Sequence, residues 1–198
     1  MVITNVNQFP TNLQDKRICV YCGSTSHCQS TYLEEAFRLG EQLAIAGAIV
    51  VYGGGGSGSM GALAEGVLHR KGRIVGVIPQ FMVEREWAHD RLEELRIVED
   101  MRTRKHLMLE SSAACIALPG GNGTFEELME TVTLKRLGIY TEPILVVNQH
   151  DYYAPLLHLM DHAIAQRFIP VRQDSFWKVV SGAEEAVHWL REQPLRHA

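Results

Sequence analysis

The sequence predicts an α/β fold, a parallel β-sheet flanked by helices on both faces. Apolar runs of strand length alternate with helical stretches along the chain. The runs are nearly continuous in their hydrophobicity, as strands covered on both faces must be. Glycine-rich turns follow two of them directly and lead into helices, and in open sheets of this class ligands bind beyond the carboxyl ends of the strands.

In order, the elements are a strand at Ile18 to Tyr21, a helix through Glu34 to Ala46, a strand at Ala48 to Tyr52, a helix from Met60 to His69 and a strand at Ile74 to Ile78. The first helix opens on Thr31-Tyr-Leu-Glu34, the spacing of a capping box, and Gly47 suits its exit. Further on, Ala114 to Leu118 and Ile144 to Val147 are apolar, Phe125 to Leu137 is amphipathic, and Tyr153 to Phe168 and Ala183 to Arg191 are helical. The stretch Pro79 to Glu94, charged and holding Trp87, reads either as a solvated connection or as a flap over a site.

The composition bounds the class. With 198 residues, 46% hydrophobic and 21% charged, the chain has the makeup of one domain spanning residues 1 to 198, with 1 to 16 a flexible N-terminal segment. A net charge of -4 lacks the electrostatic footprint of a nucleic-acid binder and gives no pull toward an acidic membrane. No apolar run approaches the roughly 20 residues that span a bilayer, and the N-terminus lacks the pattern of a signal peptide. Neither nucleic acid nor membrane is expected as a partner, and a cytoplasmic location is.

Four cysteines give no disulfide framework. Cys19 and Cys22 form a C-x-x-C, yet residues three apart on a strand point to opposite faces and cannot easily share a metal. His158 and His162 have the spacing of a zinc-binding helix, but they fall on the polar side of an amphipathic stripe with no third ligand evident. No metal is expected.

The first glycine turn is Val51-Tyr-Gly-Gly-Gly-Gly-Ser-Gly-Ser-Met-Gly61. Glycines there let backbone N–H groups and a helix N-terminus approach an anion. Gly56, Gly58 and Gly61 satisfy G-x-G-x-x-G, but the next strand ends Val77-Ile-Pro-Gln80 without the acidic residue that binds a dinucleotide's ribose. No lysine stands between Arg17 and Arg70, which excludes an ATPase P-loop. A phosphate turn remains, Gly54 and Gly55 within it, with tight helix-on-strand packing as its structural alternative.

The second turn, Leu118-Pro-Gly-Gly-Asn-Gly-Thr-Phe-Glu-Glu-Leu128, is more specific. Gly120, Gly121, Asn122 and Gly123 permit close backbone approach, and Thr124 can donate a hydroxyl to a phosphate. Glu126 and Glu127 follow. Neighbouring helical positions project about 100° apart, so one carboxylate can meet solvent while the other faces a ligand. Between the turns lies the basic cluster Asp100-Met-Arg-Thr-Arg-Lys-His106, either a solvated helix face or a source of anion-binding guanidinium groups.

On Gly53 to Gly61, on Pro119-Gly-Gly-x-Gly-Thr-x-x-Glu127, on Met101 to Lys105, and on Cys19-Val-Tyr-Cys-Gly-Ser24 and Gly76 to Pro79, the sequence resembles the LONELY GUY (LOG) family of cytokinin riboside 5′-monophosphate phosphoribohydrolases. The resemblance runs from about Arg17 to Pro170. It implies a Rossmann-like fold, hydrolysis of the N-glycosidic bond of a nucleoside 5′-monophosphate, no metal or organic cofactor, and a homodimer, a higher oligomer being left open. It places the catalytic pair on Arg104 and Glu127 and substrate-binding positions on Glu86, Lys105, Gly121, Gly123, Thr124 and Thr133. Ser24, Gly54, Gly55, Gly120, Asn122 and Glu126 complete the candidate binding set. Arg102, Trp87, Asn122 and Phe125 depart from residues common in the family, which leaves the base preference, prenylated or plain adenine, open. A broader nucleotide nucleosidase and a carrier of molybdenum cofactor are the alternatives. A pyridoxal-phosphate decarboxylase is disfavoured, since the one lysine at a site, Lys105, adjoins an arginine.

Overall fold

A computed structural model describes residues 13 to 85, 87 to 169 and 176 to 195. The strands are β1 (Arg17–Tyr21), β2 (Ile49–Tyr52), β3 (Arg73–Pro79), β4 (Glu94–Val98), β5 (Ala114–Ala117), β6 (Ile144–Val147) and β7 (Lys178–Val180). The helices are α1 (Ser30–Ile45), α2 (Gly58–His69), α3 (Gln80–Val83), α4 (Met101–Leu109), α5 (Asn122–Arg136), α6 (Ala154–Ala165) and α7 (Ala183–Arg191). All seven strands join one sheet in the order β4-β3-β2-β1-β5-β6-β7, and every pairing is parallel. The predicted fold class holds.

Two apolar layers sandwich the sheet. On one face Ile18, Val20, Val50 and Ile116 meet Leu39 and Leu43 of α1, Leu63 and Val67 of α2, and Val187 and Leu190 of α7. On the other, Cys19, Val51, Cys115 and Val146 meet Met108 of α4, Leu128 and Val132 of α5, and Met160 of α6. Each such fully buried Val or Leu contributes about 1.5–3 kcal/mol. Cys19 and Cys22 lie in opposite layers, as the strand periodicity predicts.

Three expectations need correction. Gln29, not a side-chain cap at Thr31, precedes α1, and no capping hydrogen bond forms, because the helix starts two residues earlier than the Thr31–Glu34 spacing requires. Within the N-terminal segment Leu13 is fully buried and Lys16 Nζ donates to the Leu195 carbonyl at 3.1 Å, while residues 1 to 12 lie outside the described residues. The sheet is wider than the apolar runs suggest, since β4 and β7 occupy its two edges. The predicted helix from Tyr153 to Phe168 is shorter, ending at Ala165, with Arg167 at a positive φ of 65°.

Candidate active site

The strand order reverses direction between β1 and β5: the chain leaves β1 for β2 on one side and β5 for β6 on the other. Helices on opposite faces diverge there and leave a crevice at the strand ends. A cavity of about 490 Å³ opens at this point, lined by both glycine turns. Its lining includes the polar residues Ser24, Thr25, Asn122 and Thr124 and the apolar residues Met60, Ile78, Met82, Trp87 and Met101.

Helices α2 and α5 start at this cavity from Ser57 and Gly121 without a capping side-chain hydrogen bond. Two other helix starts are closed by carboxylates, Asp100 accepting from Thr103 N at 2.7 Å at the start of α4 and Glu35 from Ala183 N at 2.5 Å at the start of α7, whereas α1, α3 and α6 also begin without a capping side chain. Uncapped amides and the positive helix end make α5 a fitting seat for an anion.

Arg104 and Glu127 meet on the lining of the cavity. Arg104 reaches it from α4, its Nε donating to the Val77 carbonyl at 3.1 Å and its Nη2 to the Gly53 carbonyl at 2.8 Å. These bonds tie the ends of β2 and β3 to α4. Gly53 has no side chain because a Cβ there would collide with the guanidinium. Nη1 stands 3.7 Å from Glu127 Oε1, with both side chains about 5% exposed. Burial pushes the Glu127 carboxyl up to about 7, against the opposing pull of Arg104. Glu127 is therefore divided between its two protonation states near neutral pH, as a proton-transferring group should be. Glu126 next to it is exposed and forms an ion pair with Lys105 instead.

Of the sequence-selected residues, the cavity gathers Ser24, Gly55, Arg104, Gly121, Asn122, Gly123, Thr124 and Glu127. Gly54 and Gly120 do not line it, and Gly54 takes a positive φ of 74° that suits glycine. Lys105, Glu126 and Thr133 do not line it. Lys105 faces a neighbouring cleft, between Glu126 and Glu130, at 2.8 Å from the latter, and Thr133 donates along its own helix to the Met129 carbonyl. Glu86 lies outside the described residues. Arg102 lines the neighbouring cleft as well.

The stretch after β3 is a flap. Gly55 and Ala88 form an antiparallel bridge, Gly56 N donates to the Trp87 carbonyl at 3.0 Å and His89 N to the Gly54 carbonyl at 2.9 Å. The buried His89 ring also meets Glu65 of α2 at 3.2 Å. Sequence reasoning missed Thr25, Met60 and Met82 as lining residues. Thr25 extends the run from Cys19 to Ser24, but the methionines carry no local signal, since methionine at helical spacing reads as core.

The family described as "Possible lysine decarboxylase" matches residues 60 to 190. The chain is 41% identical to the cytokinin riboside 5′-monophosphate phosphoribohydrolase LOG4 of Arabidopsis thaliana over 182 residues, 91% of this chain and 84% of that protein. The chain belongs to the LOG family. To the Arabidopsis member LOG1 it is 38% identical, over 92% of this chain and 85% of the relative. Among solved structures, the molybdenum cofactor carrier protein of Chlamydomonas reinhardtii superposes with a TM-score of 0.68 at 19% identity, covering 90% of this chain and 98% of that one. That likeness concerns the fold. The lysine decarboxylase description suits the LOG site poorly: Lys105 is flanked by two carboxylates that raise its pKa, whereas an imine-forming lysine must shed its proton.

Proposed function

We propose that this LOG-family chain hydrolyses the N-glycosidic bond of adenosine 5′-monophosphates, N6-prenylated ones included, releasing the free base and ribose 5-phosphate. The observation that carries the reading is the buried Arg104–Glu127 pair between an open helix N-terminus and an apolar pocket. The names of the Arabidopsis relatives support it.

The phosphate sits on the amides of Gly121 to Thr124 and the Thr124 hydroxyl, and Ser24 and Thr25 face the sugar-phosphate. The base lies toward Met60, Met82, Met101 and Trp87. As the bond from C1′ to the base nitrogen breaks, the base takes the electron pair and the sugar gains oxocarbenium character, which the Glu127 carboxylate stabilises. A water oxygen bonds to C1′, its proton passes to Glu127, and the departing nitrogen takes a proton from solvent. Arg104, always charged, is no proton donor; it holds the carboxylate in place and favours its ionised form. Phosphate binding away from the breaking bond converts binding energy into orientation of the ribose.

The chain acts as a homodimer in the cytoplasm. Leu137 and Ile139, 61% and 70% exposed, offer apolar surface beside the cleft that holds Lys105, so a second copy there would bring Lys105 and Thr133 near a subunit boundary. Four unpaired thiols suit a reducing compartment.

The test is a chromatographic assay for free base and ribose 5-phosphate, offering AMP and isopentenyladenosine 5′-monophosphate to the wild type and to Glu127→Gln. Release by the wild type alone supports the reading and ranks the substrates. Binding without release by the wild type turns it toward a carrier.

A further inference from the structure

The structure assigns Tyr152 as a positioning residue of the phosphate turn, acting from outside the cavity. Its hydroxyl donates to the Gly120 carbonyl at 2.5 Å. In a trans peptide the carbonyl of one residue and the N–H of the next point in opposite directions. With the Gly120 carbonyl drawn outward to Tyr152, the Gly121 N–H is turned the other way, to the side on which Gly121 lines the cavity. Nothing stands within 4 Å of where a Gly121 side chain would begin, so a ligand can come close to the Gly121 backbone from that direction.

The surroundings hold Tyr152 to this task. Its ring stacks on Phe125 of α5, with centroids 6.3 Å apart, and meets Tyr32 of α1 edge-on at 5.7 Å. The turn that delivers it runs from Asn148 through His150 and Asp151, both left-handed at φ 50° and 56°, a conformation that side-chain-bearing residues adopt at a cost. Asn148 Oδ1 accepts from Tyr153 N at 2.7 Å, and Gln149 Nε2 donates to the Thr31 carbonyl at 3.1 Å, fixing that turn. The adjacent Tyr153 also reaches the glycine segment, but its hydroxyl bonds the Leu118 carbonyl at 2.7 Å, and the next residue, Pro119, has no N–H to aim. The two tyrosines thus make an internal comparison.

The assignment rests on reading the second glycine turn as the phosphate site. It is tested with Tyr152→Phe and Tyr153→Phe, measuring affinity for ribose 5-phosphate and for free adenine by calorimetry, KM and kcat for the nucleotide, and thermal unfolding. Tyr152→Phe is expected to weaken ribose 5-phosphate binding and raise KM by about tenfold, with adenine affinity and kcat within about twofold of the wild type, in keeping with one hydrogen bond lost behind the anion site. Tyr153→Phe is expected to lower thermal stability without that selectivity. Unchanged phosphate affinity in Tyr152→Phe, or an equal loss for phosphate and base ligands, overturns the assignment. Ribose 5-phosphate binding by the wild type separates the two readings: if it is absent, the phosphate site itself is refuted, and if it is present and insensitive to Tyr152→Phe, only the positioning role is.

Discussion

Arg104 Nη1 faces Glu127 Oε1 at 3.7 Å inside the cavity, while the rest of the guanidinium is bound to the backbone carbonyls of Gly53 and Val77. Two strand ends and two helices thereby converge on one carboxylate. The arginine's position is set by the sheet, and the carboxyl's protonation by burial, which the arginine partly offsets.

If Glu127 works as a carboxylate, kcat/KM should climb with pH through about 7 and level off above it, because the ionised form is the one that accepts the water proton. Glu127→Gln should lower kcat by about 10²–10⁴-fold and abolish that rise while nucleotide still binds. A pH–rate profile of both proteins checks this, and a near-normal kcat in the variant would remove Glu127 from the chemistry.

The same residue should limit stability. Its carboxyl titrates near 7 when folded against 4.5 when exposed, so the folded state holds the proton more tightly. The favourable contribution is complete below the unfolded value and is lost as pH rises through about 7, a difference on the order of 3 kcal/mol. Glu127→Gln is expected to raise the unfolding midpoint at pH 8 and to leave it nearly unchanged at pH 4. Urea titrations at the two pH values decide it.

Arg104→Met should remove both carbonyl contacts and leave Glu127 buried without a counter-charge. About 2–4 kcal/mol of stability should go, and the midpoint of the Glu127-dependent rate should move to higher pH. Arg104→Lys should restore the charge but not the two-carbonyl geometry, recovering the pH midpoint better than the stability. Parallel denaturation and pH–rate curves separate the two effects.

At the flap, Trp87→Ala removes an apolar side chain from the cavity lining. We expect kcat/KM for isopentenyladenosine 5′-monophosphate to fall about tenfold more than for AMP, since contact with an apolar substituent is worth about 1–3 kcal/mol per group. Equal losses for the two substrates would show that Trp87 does not read the substituent.

The central strands, both glycine turns and the helices that follow them are legible in the chain because each is encoded by neighbouring residues. A buried strand needs four apolar residues in a row, and an anion turn needs glycines before a helix start. The edge strand β4, Glu-Leu-Arg-Ile-Val, escapes such reading because it pairs on one side only and two of its three exposed residues, Glu94 and Arg96, carry charge. The three-residue β7 at the other edge is too short to signal itself.

By itself, then, the sequence determined the α/β class, the two phosphate-type turns and the candidate carboxylate, all properties of contiguous segments. Only the tertiary structure decided that Arg104, from a cluster equally readable as a solvated face, is the cation buried against Glu127, and that Lys105 and Thr133 face elsewhere. It alone showed that Met60, Met82 and Met101 gather around one pocket and that Tyr152 supports the second turn from behind. These are relations between residues far apart in the chain, brought together by parallel crossovers at the point where the sheet reverses its winding, and no local pattern records them.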